Sequence, residues 1–317
     1  MKLIIQIPCY NEEKTLPLVI NSIPKRIPGV DVIETLIIDD GSTDKTIEVA
    51  EKLGVTHIVR HAQNKGLAMT FADGLDEALR QGADIIVNID GDNQHPASEI
   101  PRLIEPVLKG THDIVIGDRE VKKISYFSPL KRFLESFGSK VVSTLSDANI
   151  PDAACGFRAY SREAALSTNI VTLFSYTMET IIQAGKKRIA ITSVPIQQNP
   201  KTRESRLFKS IPQHVFRSGK AIIRSYAMFE PFKIFLAGGV VVFLVGTIPY
   251  FRVLYLIFHT TDRVGGHVQS LILGAVFIIL GFVLVMIGII ADLISVNRKL
   301  LEDTLYRVKK IEYDTEN

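Results

Sequence analysis

Residues 85–95 read IIVNIDGDNQH, an apolar run of β-formers that ends in two carboxylates one residue apart. Four of the five residues at 85–89 are β-branched and apolar. That pattern predicts a strand buried on both faces of a parallel sheet, and ligands of open α/β sheets gather just past the carboxyl ends of such strands. Asp90 and Asp92 are therefore expected in a crevice. With Gly91 between them, and Gln94 and His95 following, they offer hard oxygen ligands to Mg²⁺ or Mn²⁺ while leaving coordination positions for phosphate oxygens. An Asp-Gly-Asp is also common as a solvated turn, so the surrounding chain has to discriminate.

It does so by alternation. Apolar β-runs at 3–7, 32–38, 57–59, 85–89 and 113–116 are separated by helical patterns near 13–26, 44–53, 68–80 and 97–108. Such a βαβα series implies a mainly parallel sheet with helices on both faces, right-handed crossovers, and a site at the carboxyl ends of the strands. Polar residues are delivered there repeatedly: Tyr10, Asn11 and Glu12 after the first strand, Asp39, Asp40 and Ser42 after the second, Asp90 and Asp92 after the fourth, Asp118 and Arg119 after the fifth. Helix capping accounts for one such cluster but poorly for four in one sheet. No GxGxxG follows the first strand and no GxxxxGK[ST] is present, which speaks against a dinucleotide-binding Rossmann domain and a P-loop ATPase. Phosphates are then left to a divalent ion at Asp92 and to the cations Lys65 and Arg119.

The 317 residues have a mean hydropathy of +0.19, and the apolar excess lies in the last third. Residues 234–251 and 271–291 carry no charge, and each stretch is long enough to cross a hydrocarbon core as a helix. Gly246 and Pro249 in the first, and Gly274, Gly281 and Gly288 in the second, are costly in a soluble helix but common in closely packed membrane helices. Arg217, Lys220, Arg224 and Lys233 precede the pair, and Arg298, Lys299, Arg307, Lys309 and Lys310 follow it, against Arg252 and Arg263 between. The positive-inside rule places both termini in the cytoplasm and 259–267 outside, in a cytoplasmic (inner) membrane. The first 13 residues hold too short an apolar stretch for a signal peptide. Cys9 and Cys155, in a reducing compartment, read as buried packing residues rather than a disulfide or a zinc site. The net charge of +3 is modest and the cations cluster near the apolar stretches, so a nucleic-acid surface is not expected.

Between sheet and spans, Phe208, Ile211, Val215, Ile222, Tyr226 and Phe229 recur at intervals of three, four or seven among Lys209, Arg217, Lys220 and Arg224, as in helices lying in the headgroup layer. Pro212 and Gly219 divide them. After the second span, 297–313 reads as a charged cytosolic helix, either an oligomer contact or a solvated tail. The expected organisation is a catalytic domain over 1–202, a basic juxtamembrane segment over 203–232, a two-helix transmembrane hairpin over 233–296 and a charged C-terminal helix over 297–317.

These features together resemble the family 2 glycosyltransferases of GT-A fold, specifically the polyprenyl-phosphate sugar transferases that include dolichol-phosphate mannose synthases and bactoprenol glucosyl transferases. The carriers are IPCYNEE at 7–13, IIDDGSTD at 37–44, NKG at 64–66, IDGDNQHP at 89–96, GDR at 117–119 and DAACGFRAYSR at 152–162. The resemblance implies a Rossmann-like GT-A sheet, interfacial helices and two transmembrane helices. It implies that Pro8, Tyr10, Asn11, Glu12 and Asp40, with Asp39 contributing, form the nucleotide pocket, and that Lys65, Asp90 and Gly91 lie on the ribose-diphosphate side. Asp92, Gln94 and Asp90 would hold Mg²⁺ or Mn²⁺. Arg119, Arg132, Asp152 and Arg158 would line the sugar and acceptor side, although Arg158 and Asp152 can equally form a structural ion pair and Gly156 can serve backbone geometry alone. An acceptor-phosphate clamp of Gly-x-Ser-Lys type is matched only loosely by PKTRESRL at 200–207, where Arg203 replaces glycine, Ser205 is kept and Arg206 replaces lysine.

The implied reaction is inverting transfer of a hexose from a nucleotide sugar, UDP-glucose being favoured and GDP-mannose the alternative, to undecaprenyl or another polyprenyl phosphate. The acceptor's second phosphate pKa, about 6, leaves a largely ionised nucleophile at neutral pH, so no strong general base is needed. Membrane lipids are expected partners, and a homo-oligomer is compatible with the chain. Two other readings compete. An inactive membrane-anchored scaffold is disfavoured by the intact Asp90, Asp92, Arg119 and Arg158 set. A processive polysaccharide synthase is disfavoured by having only two spans and no Q-x-x-R-W in a chain without tryptophan.

Overall fold

The computed structural model describes residues 1–121, 129–172, 176–200, 219–220, 222–224, 226–259 and 267–315. The chain divides into two units, Met1–Ser225 with Thr304–Asn317, and Tyr226–Asp303.

The first unit is built on a seven-stranded sheet in the order β3-β2-β1-β4-β6-β5-β7. Its strands are β1 (Lys2–Cys9), β2 (Val32–Asp39), β3 (His57–Arg60), β4 (Ile85–Asn88), β5 (Ile114–Asp118), β6 (Arg158–Ser161) and β7 (Ile191–Pro195). The five expected strands are all present. Leu3, Ile4, Ile5 and Ile7 of β1 and Leu36, Ile37 and Ile38 of β2 are 0% exposed, as strands covered on both faces require. β1 runs parallel to β2 and β4, β2 to β3, and β5 to β7, whereas β6 is antiparallel to both β4 and β5. The sheet is thus mixed. β6 escapes the βαβ rhythm because an antiparallel strand needs no crossover helix before it, and four residues carry little periodicity.

Seven helices cover this sheet or follow its strands: α1 (Leu16–Asn21), α2 (Thr46–Lys52), α3 (Leu67–Arg80), α4 (Ile100–Leu108) after a 3₁₀ turn at Ala97–Glu99, α5 (Pro129–Ser146), α6 (Arg162–Ser167) and α7 (Tyr176–Lys186). The helix expected over 13–26 shrinks to six residues because Pro24 drives the residue before it out of the helical region. In the sheet centre a buried polar chain replaces apolar packing. Gln6 Nε2 donates to Asn88 Oδ1 at 2.9 Å, and Asn88 Nδ2 donates to the Gly156 carbonyl at 2.8 Å and to Tyr176 Oη at 2.9 Å.

In the second unit, helix Pro231–His259 and the helix that starts at Val268 are long and apolar enough to cross a membrane, and contain both expected spans. They meet through glycine. A Cβ added to Gly239 would lie 2.8 Å from the Gly281 carbonyl oxygen, and one added to Gly246 would lie 2.8 Å from that of Gly274. The seven-residue spacing on both helices lets the backbones approach where lipid offers no hydrophobic drive for association. Most of their apolar side chains remain exposed.

One expectation is corrected here. The helix from Val268 runs without interruption to Thr315, 48 residues, so the charged segment over 297–317 is not a separate element. Its final turns belong to the first unit: Lys309 Nζ lies 2.6 Å from Asp76, Lys310 Nζ 3.0 Å from Glu163 and Asp314 2.9 Å from Arg162 Nη2. Tyr313 is buried beside Arg80. These turns are therefore fastened to the first unit and are not a free tail. Of the juxtamembrane segment, 219–220, 222–224 and 226–229 are helical. Arg203, Ser205, Arg206, Phe208, Lys209, Ile211, Pro212, Val215 and Arg217 lie outside the described residues.

Candidate active site

The winding of the sheet reverses beside β1: β2 and β3 lie on one side, β4 on the other. A crevice opens at such a switch point, past the carboxyl ends of the two diverging strands. Those ends deliver Tyr10, Asn11 and Glu12 from β1 and Asp90, Gly91 and Asp92 from β4. The two exit loops touch: a Cβ on buried Gly91 would stand 3.1 Å from Cys9 Sγ and 3.3 Å from the Pro8 carbonyl oxygen. Being antiparallel, β6 begins at this end of the sheet, with Arg158 in register with both Asn88 and Ile116. The loop before β6 thereby reaches the crevice. A Cβ on Gly156 would lie 3.0 Å from Asp90 Oδ2 and 2.9 Å from Tyr176 Oη, so glycine is what makes room for the Asp90 carboxylate.

The half-buried Asp92 accepts from Gln94 twice, from the backbone N at 3.1 Å and from Nε2 at 2.7 Å. Gln94 in this arrangement presents its amide nitrogen to Asp92, and to serve as a metal ligand it would turn its amide over. Asn199, after β7, fastens the same loop, its N donating to the Gln94 carbonyl at 3.0 Å and its Nδ2 to that of Asn93 at 3.0 Å. Among the described residues no three His, Cys, Asp or Glu side chains gather as a metal cage. Two carboxylates and an amide are a hard oxygen set that fits Mg²⁺ or Mn²⁺ only where other oxygens complete the shell.

On the β1–β2 side the acids hold backbone. Asn11, at φ 57°, accepts from Thr43 N at 2.8 Å and donates its own N to Ser42 Oγ at 2.8 Å. Glu12 accepts from Thr15 Oγ1 at 2.6 Å and is 5% exposed, whereas Tyr10 stands out at 39%. Asp39 accepts from Ser42 N at 3.2 Å and faces Arg60 at 3.7 Å. Asp40 collects the loop over 61–66: Lys65 N at 2.7 Å, Gly66 N at 2.9 Å and His61 Nδ1 at 2.8 Å. Lys65 reaches Asp73 at 2.9 Å.

The opposite wall is held by buried charge. Arg119 grips Asp152 with two nitrogens, Nε to Oδ2 at 2.6 Å and Nη2 to Oδ1 at 2.8 Å, and Nη2 also reaches Glu135 of α5 at 3.2 Å. Burial pushes the Asp152 carboxyl up, but the Arg119 charge and hydrogen bonds outweigh it and hold the group below its ordinary value. Glu135 is raised, burial exceeding the pull of Arg119. Arg132 lies half-buried on the same helix.

Arg158 departs from expectation. It is 0% exposed and among the described residues pairs with no carboxylate: Nε donates to the Cys155 carbonyl at 2.7 Å, Nη1 to that of Thr177 at 2.8 Å and to Thr180 Oγ1 at 2.6 Å, and Nη2 to the Ala153 carbonyl at 2.9 Å. Enclosed in this way it shapes the 153–158 loop instead of lining the sugar side, and the partner of Asp152 is Arg119. Arg203, Ser205 and Arg206 cannot be placed, since they lie outside the described residues.

A family model described as glycosyl transferase family 2 matches residues 4–167. The chain belongs to this family. Among its relatives, a UDP-N-acetylglucosamine–dolichyl-phosphate N-acetylglucosaminyltransferase of Methanococcus voltae is 30% identical over 60% of this chain and 83% of its own. A polyprenol monophosphomannose synthase of Mycolicibacterium smegmatis is 29% identical over 60% and 74%. The fold recurs in glucosyl-3-phosphoglycerate synthase of Mycobacterium tuberculosis, solved with Mn²⁺ and UDP, at TM-score 0.54 and 22% identity over 71% of this chain and 78% of that one.

Two residues of this family 2 site, His61 and Glu135, had no role in the sequence reading, whereas His95 was read there beside Asp90, Asp92 and Gln94. His61 bridges Asp40 and Asp73, with Nε2 2.9 Å from the latter. Glu135 completes the Arg119 cluster. His95, 5% exposed, stacks on Phe157 and lies 4.0 Å from Cys155 Sγ; burial first, then Arg119, pushes its pKa down to about 3, and its Nδ1 has no hydrogen-bond partner among the described residues. Burial likewise lifts the Cys155 thiol to about 12, so it is inert packing, as its sequence context suggested. No local pattern marks His61 or Glu135, because each acts on a residue distant in sequence.

Proposed function

We propose that this family 2 chain transfers a hexose, with inversion, from a nucleoside-diphosphate sugar to a polyprenyl phosphate at the cytoplasmic face of a membrane. The observation that carries this is that Asp90 and Asp92 after β4, and Arg119 with its partner Asp152 after β5, leave the same edge of one sheet, in a chain with two membrane-length helices. The acceptor class is supported by the names of its relatives, which act on dolichyl or polyprenol phosphates. The two-span tail favours UDP-glucose as donor. GDP-mannose is the second reading, favoured by relatives named for mannose, an undecaprenyl-phosphate mannosyltransferase of Micrococcus luteus among them.

Two anions must meet in this reaction, and the residues divide the task. Asp40 holds the 61–66 loop, and with it Lys65, beside the nucleotide; Asn11 and Glu12 shape the pocket floor. Asp90, Asp92 and Gln94 are the residues that would hold Mg²⁺ or Mn²⁺, which supplies Lewis-acid neutralisation of the leaving diphosphate. Among the described residues Arg119 engages its carboxylates through Nε and Nη2, so Nη1 is the nitrogen that would meet an anion; in this reading it orients the acceptor phosphate while Asp152 fixes its plane. Arg132 on α5, with Arg203, Ser205 and Arg206, completes the acceptor side. The positive-inside asymmetry supports catalysis on the cytosolic face.

The test is to incubate the purified protein, Mg²⁺ or Mn²⁺ and undecaprenyl phosphate with a panel of nucleotide sugars and to weigh the lipid product. One hexose added to the lipid is expected. Asp92→Ala should abolish transfer with the melting temperature unchanged, and full turnover in metal-free buffer would overturn the metal assignment.

A further inference from the structure

Lys65 is held at two points that differ in kind. Its backbone N donates to Asp40 Oδ1 at 2.7 Å, and its Nζ donates to Oδ2 of Asp73, on the second turn of α3, at 2.9 Å. The backbone around it is fixed from several sides. Gly66 N donates to Asp40 Oδ2 at 2.9 Å, and a Cβ on Gly41 would stand 3.0 Å from Asn64 N, so the loop over 61–66 is wedged against the loop after β2. The side chain, in contrast, has one ion pair among the described residues, with Lys65 45% and Asp73 31% exposed. A pair so open to water is weak and readily exchanged. Its exchange does not strand Asp73. Buried His61 has Nδ1 2.8 Å from Asp40 and Nε2 2.9 Å from the same Asp73 oxygen that Lys65 occupies, where Nε2 stands at ion-pair distance without forming a hydrogen bond.

We propose that Asp73 is a positioning residue for the donor: it parks the Lys65 ammonium while the pocket is empty and yields it to the diphosphate of an incoming nucleotide. The inference deepens the reading above and rests on its placing of Lys65 beside the donor. Lysine suits the task, because its ammonium is a compact point charge on a flexible stem that turns without moving the backbone. The bonds to Asp40 fix where that stem begins, and Asp73 decides where it ends in the empty pocket. A nucleoside diphosphate brings more than one negative charge and several acceptor oxygens, so it outcompetes a single carboxylate for the ammonium. His61 makes the exchange easier still, since it spans Asp40 and Asp73 and keeps a ring nitrogen beside the carboxylate that the lysine leaves. Every ligand that recruits Lys65 must therefore break the parked pair first. Asp73 lowers donor affinity and, equally, the affinity of the nucleoside diphosphate released after transfer.

The experiment is a double-mutant cycle on full-length protein in detergent, with the affinities of UDP and GDP measured by calorimetry in the presence of Mg²⁺. Asp73→Asn keeps the shape of the side chain and removes its charge. It should tighten the diphosphate that binds by about two- to fivefold more in the presence of Lys65 than in a Lys65→Met background, where no ammonium remains to be released. Asp73→Ala is the second variant, should the amide perturb folding, and is expected to show the same dependence. Equal tightening with and without Lys65 overturns the proposal, because Asp73 then acts through the charge of the pocket and Lys65 never leaves it. Unchanged or weaker binding in both Asp73 variants overturns it as well and makes the pair an ordinary surface contact. The affinities need no acceptor, so the two readings fail separately. A Lys65-dependent gain in a protein that transfers no sugar defeats the transferase reading alone, transfer without the gain defeats the exchange alone, and a protein that binds neither diphosphate defeats both.

Discussion

The crevice is walled on one side by the loops after β1 and β2 and on the other by β5, β6 and α5, and the two walls are held together by different means. On the first, Asn11, Asp39 and Asp40 accept from backbone N–H groups a few ångströms away, so each loop is tied by hydrogen bonds that survive one at a time. On the second, Arg119, Asp152, Glu135 and Arg158 are charges taken out of water, and each depends on its partners. Removing one partner of a buried pair leaves an uncompensated charge, which costs far more than losing an ordinary hydrogen bond. The first wall should therefore tolerate substitution and report it in ligand affinity, while the second should report it in stability.

The strongest test of that difference is Asp152→Ala. With Asp152 1% exposed, its loss strands Arg119 and should destabilise by about 3–5 kcal/mol, seen as a large fall in melting temperature in detergent. Arg158→Met should cost somewhat less, about 2–4 kcal/mol, because no charge is left behind and the penalty is the orphaned carbonyls of Ala153, Cys155 and Thr177. If instead this variant stays stable and loses only acceptor affinity, Arg158 belongs to the site after all. Acid sharpens the contrast. His95 is neutral when folded, with a pKa of about 3 against 6.5 unfolded, so protons favour the unfolded chain. Its contribution is complete above pH 6.5 and lost toward pH 3, at about 1.4 kcal/mol per pH unit. His95→Gln should flatten the stability profile between pH 6.5 and 4; below that Asp152, also held under its ordinary value, adds its own loss. The smallest effect is on the first wall: Asp40→Asn should cost only about 1 kcal/mol in stability while weakening nucleotide binding measured by calorimetry. A cost equal to that of Asp152→Ala would erase the distinction between the walls.

The same division explains what the sequence disclosed. Strands β1 to β5 and the acidic strand ends were legible because continuous β-branched runs followed by polar residues are local patterns. The placement of Asp90 and Asp92 at the switch point follows from that alternation. β6, in contrast, is four residues inserted antiparallel, and its first residue, Arg158, carries a charge that in sequence looks catalytic. Only the carbonyls of 153, 155 and 177, gathered from two separate elements, show what it does. Glu135 was illegible for a related reason: its partner Arg119 is 16 residues away, and nothing in the spacing joins them. The unbroken helix to Thr315 was hidden by a change of composition, from apolar to charged, that alters the helix's surroundings without altering its backbone.

That helix also sets a schedule for the molecule's birth. The first unit is discontinuous in sequence, its sheet complete at Pro195 but Asp76, Glu163 and Arg162 still waiting for Lys309, Lys310 and Asp314. At ribosomal speeds of about 5–20 residues per second, the last of these contacts is synthesised roughly 6–24 s after the final strand. Both membrane-length helices emerge in the interval. The catalytic domain is thus fastened by residues that arrive only after the membrane segments have left the ribosome, and a chain that stalls before them carries its sheet without its clasp.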